Sequence, residues 1–177
     1  MIIWIDGTFG VGKTSVIKNI CEKLNDKEVI VINSDCYFRK LGNKIAIIGG
    51  GTLPQNNEYF LKEFKEKIET IIADSSKIVF IDMALTEKEC KEKLFDYFNN
   101  KYNNVLHFIL TIDFDTFIKR IDSDTERDKD TAVVFFKHNV NFLRENYKDA
   151  IFIDTNKKSI AEVANTIIKY ILNNKNV

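Results

Sequence analysis

The sequence lacks the features that mark secreted and membrane proteins. Its 177 residues include one proline, seven glycines and three cysteines. Cys21, Cys36 and Cys90 are odd in number and lack the close spacing of a zinc-binding motif, so we expect reduced thiols, no zinc and a cytoplasmic location. No apolar run approaches the roughly 20 residues that a membrane-spanning helix needs, and we expect no membrane span.

An excess of charge of one sign is also missing. Lys and Arg together number 26 and Asp and Glu together number 26, so the formal net charge is zero. Proteins that bind polyanions usually carry a basic excess, and we therefore expect no nucleic-acid partner. The length fits one compact domain, and we expect a single domain over residues 1–177.

Short apolar runs alternate with helical patterns along the chain. An apolar run that is bounded by polar residues and followed by an amphipathic helix is typical of a strand in a parallel sheet that is covered on both faces. The sequence therefore predicts an α/β fold with a five-stranded parallel sheet, helices on both faces and right-handed crossovers. The predicted strands are Ile2–Asp6, Glu28–Asn33, Lys77–Asp82, Val105–Thr111 and Ala150–Asp154.

Two segments interrupt this alternation. Residues 40–56 contain three consecutive glycines, Gly49–Gly51, and the proline Pro54, which predicts a mobile loop above the sheet. Residues 122–130 are wholly polar and lie between helical segments. The second segment is either a short lid or a solvated corner.

The residues from Gly7 to Thr14 form the pattern of a phosphate-binding loop: glycine, four residues, glycine, lysine and then threonine. The loop follows a predicted buried strand and opens a predicted helix, so its backbone N–H groups can converge on a phosphate at the positive end of the helix. Lys13 is then expected to reach the β- and γ-phosphates and the Thr14 hydroxyl to bind Mg²⁺. The predicted nucleotide-binding residues are Gly7, Thr8, Phe9, Gly10, Val11, Gly12, Lys13, Thr14 and Ser15.

Two aspartates at predicted strand ends are candidates for the same site. Asp82 ends an apolar strand, as does the magnesium-binding carboxylate of many P-loop proteins. Asp35 follows the second strand, at the edge of the sheet where an acceptor would lie, and is a candidate general base. Either residue can instead be a helix cap or a turn residue, so both interpretations stay open.

Arginine is scarce, and its placement is informative. Arg120 ends a predicted helix that enters the polar segment, and Arg127 lies within that segment. A guanidinium offers several fixed donors to phosphoryl oxygens, so Arg120 and Arg127 are candidate catalytic residues alongside Lys13 and Asp35. The alternative for each is a solvated surface arginine.

The first fourteen residues resemble the opening of the tunicamycin-resistance ATP-binding proteins, a family of the small-molecule and nucleoside-monophosphate kinase type. Met83–Thr86, Val105–Leu110 and Ile153–Thr155 extend the resemblance in similar order. The resemblance implies a kinase-like sheet, ATP with Mg²⁺, a lid, and an adenine slot between Arg120 and the loop Thr155-Asn156-Lys157. This chain departs from the family in Asp6, where those proteins carry asparagine, and in its acidic lid segment.

These observations predict a P-loop kinase, a monomer or a homodimer, that transfers the γ-phosphate of ATP to a small-molecule acceptor such as an antibiotic or a nucleoside-type compound. The alternative is a nucleotide-dependent resistance protein that sequesters its ligand without phosphoryl transfer. Deoxynucleoside kinases rank lower, because no Asp-Arg or Glu-Arg pair comes directly after the third strand. A small GTPase is disfavoured because the chain lacks its base-reading Asn-Lys-x-Asp motif.

Overall fold

The computed structural model describes residues 1–24, 29–42, 45, 53–73, 77–122 and 129–175. Five strands form one sheet in the order β2-β3-β1-β4-β5, and every neighbouring pair is parallel. The predicted five-stranded parallel sheet is therefore confirmed, with ends that differ by at most one residue. The strands are β1 Ile2–Asp6, β2 Val29–Asn33, β3 Ile78–Asp82, β4 Val105–Thr111 and β5 Ile151–Asp154.

Helices follow each of the strands, as the alternating pattern predicted. Their bounds are α1 Lys13–Leu24, α2 Ser34–Leu41, α3 Glu58–Ala73, α4 Lys88–Cys90, a π-helix Lys91–Asp96, α5 Tyr97–Lys101, α6 Phe114–Asp122, α7 Lys129–Asn146 and α8 Ile160–Lys175. The helical patterns predicted from the sequence included no π-helix, because apolar spacing alone does not distinguish an α-turn from the wider π-turn. No helix in these ranges is long and apolar enough to cross a bilayer.

The sheet carries a hydrophobic core on each face. All five residues of β1 are buried, and its four apolar residues alternate between the two cores. Ile3 and Ile5 pack in the core that also contains the apolar faces of α1 and α8. Ile2 and Trp4 pack in the opposite core, with α3 and the π-helix. Helices on both faces are thus confirmed, and β1 lies in the middle of the sheet, where its C-terminal end is flanked by other strand ends.

The two irregular segments are only partly described. Within 40–56, α2 continues to Leu41 and a short 3-10 helix spans Pro54–Asn56, so part of the predicted loop is helical. The glycines Gly49–Gly51 lie outside the described residues, as do residues 123–128 of the predicted lid. The division of the chain into one domain with a lid near 122–130 stays a prediction.

Candidate functional site

The loop between β1 and α1 adopts a conformation that requires glycine. Gly7, Gly10 and Gly12 have φ values of 134°, 70° and 94°, a region that other residues rarely occupy. A Cβ on Gly7 would lie 2.5 Å from the carbonyl oxygen of Leu110 in β4. The loop therefore passes closely over the end of a neighbouring strand and leads into α1, and the N-terminal end of a helix favours anions.

Lys13 extends its side chain back across the loop. Its Nζ donates hydrogen bonds to the carbonyl oxygens of Gly7, at 2.7 Å, and Thr8, at 3.1 Å. These contacts hold the ammonium group over the loop, where it can exchange a carbonyl for a phosphate oxygen without a large movement. The predicted position of Lys13 beside the phosphate-binding surface fits this geometry.

Thr14 and Asp82 meet across the gap between α1 and β3. The Thr14 hydroxyl donates to Asp82 Oδ2 at 2.7 Å, and the Asp82 carboxylate is buried, with 3% of the residue exposed. Hydroxyl and carboxylate oxygens are the ligands that Mg²⁺ prefers, and protein magnesium sites often use one or two carboxylates together with substrate phosphates. The donor set of this pair therefore suits a magnesium ion bound beside a nucleotide.

Asn33 links this pair to the second strand, and the sequence analysis missed it. Its Nδ2 donates to Asp82 Oδ2 at 2.7 Å, while its Oδ1 accepts from the backbone N–H of Cys36 at 2.8 Å and caps α2. Asn33, not Asp35, is thus the N-cap of this helix. The residues Asn33-Ser-Asp35 are typical of a helix cap, so the capping role could have been predicted. The contact with Asp82 could not, because the sequence does not show that β2 pairs with β3.

Asp35 lies in the first turn of α2, exposed, and lines a cavity of about 270 Å³ above the phosphate-binding loop. Lys13, Thr14, Asp82 and Arg120 line the same cavity. The structure therefore brings together five of the residues predicted for catalysis or metal binding. The remaining walls come from Phe9, Ser34, Leu53, Pro54, Gln55, Met83 and Ala84, among others.

Arg120 joins the phosphate-binding loop to the loop after β5. Its guanidinium donates to the backbone oxygen of Thr155 at 2.8 Å and to the Thr155 hydroxyl at 3.3 Å, with longer contacts of 3.4 Å to the carbonyls of Gly10 and Val11. A second cavity of about 480 Å³ lies behind the loop and is lined by Gly10, Ser15, Arg120, Thr155, Lys158 and Ser159, among others. The family resemblance implies an adenine slot between Arg120 and the loop Thr155-Asn156-Lys157; Arg120 and Thr155 line this cavity, and Asn156 and Lys157 do not.

Asn156 and Arg127 were both predicted for the site, and the structure describes only Asn156. The Oδ1 of Asn156 accepts from the backbone N–H of Asp113 at 2.9 Å, and Asn156 lines neither of the two cavities. This hydrogen bond connects the loop after β5 to the segment before α6. Asn156 therefore has a structural contact that does not involve a nucleotide. Arg127 lies outside the described residues.

Asp6 is fully buried beneath the loop and was missed as a functional residue. Its Oδ1 accepts from the backbone N–H groups of Gly7, at 2.6 Å, and Leu85, at 3.0 Å, and its Oδ2 lies 3.0 Å from His107 Nε2. Burial, together with the nearby charge of Asp6, raises the pKa of the Tyr147 phenol, which donates to the Leu85 carbonyl at 3.0 Å. A polar network thus supports the site from below.

Comparison with known proteins identifies the fold. No protein-family model matches the sequence, and no curated protein sequence matches it. The tunicamycin resistance protein of Deinococcus radiodurans superposes with a TM-score of 0.76 at 20% identity, over 96% of this chain and 94% of that one. A gluconokinase from Sinorhizobium meliloti gives 0.60 at 16% identity, over 92% and 86%. A shikimate kinase from Bacteroides thetaiotaomicron gives 0.61 at 17% identity, over 98% of both chains. The chain therefore has the fold of P-loop kinases.

Proposed function

We propose that this chain is a P-loop phosphotransferase that uses Mg-ATP to phosphorylate a hydroxyl group of a small molecule, of the antibiotic or nucleoside type. The observation that carries the proposal is the 2.7 Å hydrogen bond between Thr14 and Asp82 at the start of α1, beside a cavity that Lys13 and Asp35 also line. Groups that are suited to phosphate binding, to metal binding and to accepting a proton from the acceptor therefore lie in one place, which supports the proposal. The kinases among the structural neighbours support the same reaction class.

The phosphate-binding loop and Lys13 would hold the β- and γ-phosphates, and Thr14 and Asp82 would hold the magnesium ion. The bound metal would neutralise charge that develops on the phosphoryl oxygens. The adenine would occupy the cavity behind the loop, which Arg120 and Thr155 line. The acceptor would occupy the other cavity, so the adenine and the acceptor would bind at two different cavities beside the loop. Arg120 contacts both cavities, so it can respond to the nucleotide and to the transferred group.

Asp35 is the proposed general base. Asp35 lies in the first turn of α2 and lines the same cavity as Lys13, the cavity that would hold the acceptor. It would accept the proton of the acceptor hydroxyl while the oxygen attacks the γ-phosphorus and ADP leaves. A phosphate acceptor is already ionised and needs no base, so a requirement for Asp35 would point to a hydroxyl acceptor.

A second function has one observation in its favour. The neighbour with a TM-score of 0.76 is a tunicamycin resistance protein, and resistance can arise from sequestration as well as from chemical modification. In that case the nucleotide would close the site around a ligand, and no phosphate would be transferred.

Product analysis with Mg-ATP separates these functions. The wild-type protein is incubated with panels of nucleosides, sugars and antibiotics, and each mixture is analysed by mass spectrometry for a phosphorylated acceptor. For an acceptor that is phosphorylated, Asp35→Asn should lower the transfer rate by about a hundredfold to ten-thousandfold with little change in ATP affinity. Asp115→Asn, at an exposed aspartate in the first turn of α6, is the matched control and should keep the wild-type rate.

Full transfer to a hydroxyl acceptor by Asp35→Asn would remove Asp35 from the mechanism. ATP binding without transfer to any compound of the panel, combined with tight binding of one of them, would favour sequestration. A wild-type protein that binds no nucleotide would contradict both functions.

A further inference from the structure

A buried carboxylate joins two segments that border the candidate site. Asp6 Oδ1 accepts from Gly7, the first residue of the phosphate-binding loop, and from Leu85, in the segment after β3. The preceding residues of that segment, Met83 and Ala84, line the acceptor cavity. A fully buried charge is tolerated only when it is hydrogen-bonded, so the orientation of this carboxylate matters to both segments.

His107 supplies the third hydrogen bond to Asp6. It lies on β4, next to β1, and its Nε2 is 3.0 Å from Asp6 Oδ2. The ring is held between Phe95, with centroids 4.5 Å apart, and Tyr147, with centroids 4.8 Å apart. Only 5% of the His107 side chain is exposed, so the ring has little freedom to turn away from the carboxylate.

The surroundings of the imidazole select one tautomer. Nε2 faces a carboxylate oxygen, which can only accept, so Nε2 must carry the proton. Nδ1 is buried and has no hydrogen-bond partner within the described part of the chain. A proton on Nδ1 would be a buried donor without an acceptor, which proteins avoid more strictly than a buried lone pair. The Nε2–H tautomer therefore satisfies the site best.

We propose that His107 is a positioning residue for the phosphate-binding loop and acts on it through Asp6. The Nε2–H group holds Asp6 Oδ2 and thereby keeps Oδ1 directed at the N–H groups of Gly7 and Leu85. Without it, the carboxylate can rotate, and the loop and the segment after β3 lose their common anchor. The inference rests on the proposed function in one respect, since it takes the loop to be the site of nucleotide binding.

Two substitutions of His107 test whether a hydrogen-bond donor is needed at the position of Nε2. In His107→Gln the side-chain amide can reach the position of Nε2, whereas in His107→Asn it reaches only the position of Nδ1. Both variants lose the ring contacts with Phe95 and Tyr147, so both should lose stability. We expect His107→Asn to weaken ADP binding on the order of tenfold, the effect of one hydrogen bond to a charged group, and His107→Gln to recover most of the affinity. His138→Gln, at a half-exposed histidine, is the control and should bind ADP as the wild type does.

Nitrogen-15 NMR of the wild-type protein gives a measurement that does not depend on the folding of the two His107 variants. The chain has two histidines, so His138→Gln assigns the His107 signals. We expect the Nε2–H tautomer. An Nδ1–H tautomer, or equal ADP affinities of His107→Gln and His107→Asn, would overturn the inference. A wild-type protein that binds no ADP but shows the Nε2–H tautomer would contradict the proposed function and leave the hydrogen bond to Asp6 in place.

Discussion

Replacement of Asp82 by asparagine tests the proposed metal site with little change in shape. Asp82 Oδ2 accepts hydrogen bonds from Thr14 and Asn33, both at 2.7 Å. The carbonyl oxygen of an asparagine can accept the same two bonds, but the negative charge that would bind Mg²⁺ is lost. The substitution therefore separates the structural role of the side chain from its proposed role as a metal ligand.

The expected effect on the nucleotide-free protein is small. Two charge-assisted hydrogen bonds become neutral ones, a loss of about 1 kcal/mol each. The cost of burying the Asp82 charge is removed at the same time and offsets part of this loss. We expect the free energy of unfolding to fall by less than about 2 kcal/mol.

The expected effect on Mg-ATP binding is larger. A ligand at a hundred times its dissociation constant stabilises the folded state by about 2.7 kcal/mol. For a chain of this size that corresponds to a rise in melting temperature of about 5–11 °C. Each tenfold loss of affinity removes about 1.4 kcal/mol, or roughly 3–6 °C of that rise.

The melting temperature is measured at increasing ATP concentration, once with Mg²⁺ and once with EDTA, and the two curves are compared. In the wild type, Mg²⁺ should increase the stabilisation by ATP, and in Asp82→Asn the two curves should coincide. Asp154→Asn, at the exposed aspartate that ends β5, is the matched control and should keep the magnesium effect. An Asp82→Asn protein with the full wild-type response to Mg²⁺ would refute the assignment of Asp82 as a metal ligand.

Three further predictions concern the loop and the thiols. Lys13→Ala should keep the fold but lower ATP turnover and affinity, because it removes a cation held over the loop. Steady-state kinetics and calorimetry measure the two effects, and unchanged values would contradict the assignment of Lys13 to phosphate binding. Gly7→Ala should lower the free energy of unfolding in urea by about 1–3 kcal/mol more than Gly12→Ala. Both positions have positive φ, but a Cβ added at Gly7 would lie 2.5 Å from a strand carbonyl, whereas a Cβ added at Gly12 would meet no atom within 4 Å; equal losses would show that the clash is relieved. Burial raises the pKa of the Cys90 thiol to about 12. At pH 8 iodoacetamide should therefore modify the exposed Cys36 in the folded protein, and should modify Cys90 only after unfolding; peptide mass spectrometry would show which thiol reacts.

The sheet could be predicted from the sequence because each strand is a short apolar run that ends before a helical pattern. The five predicted strands agree with the structure to within one residue at the ends that it describes. The π-helix Lys91–Asp96 could not be predicted, since the buried residues Leu94 and Phe98 are four positions apart and this spacing also fits an ordinary α-helix. The short helix Pro54–Asn56 was missed because a proline after three glycines is more typical of a loop.

The phosphate-binding side of the site was more predictable than the acceptor side, and the reason is local geometry. The conformation of Gly7–Thr14 depends on glycines within eight consecutive residues, and its position depends only on the strand before it and the helix after it. The cavity proposed for the acceptor has walls from α2, the helix Pro54–Asn56 and the segment after β3, which are far apart in sequence. Their meeting depends on tertiary packing that no periodicity reports.

Strand order accounts for the residues that were missed at both ends of the site. Because β2 pairs with β3 and not with β1, Asn33 lies in register with Asp82 and can donate to it. Because β4 lies on the other side of β1, His107 comes beside Trp4 and within reach of Asp6 at the end of the same strand. Neither pairing can be derived from the apolar runs alone, since any of the four later strands could border β1. The sequence alone therefore does not determine which groups an aspartate at a strand end will contact. The arrangement of the elements around the strand end determines this: Asp82 faces a threonine hydroxyl, and Asp6 faces a buried imidazole.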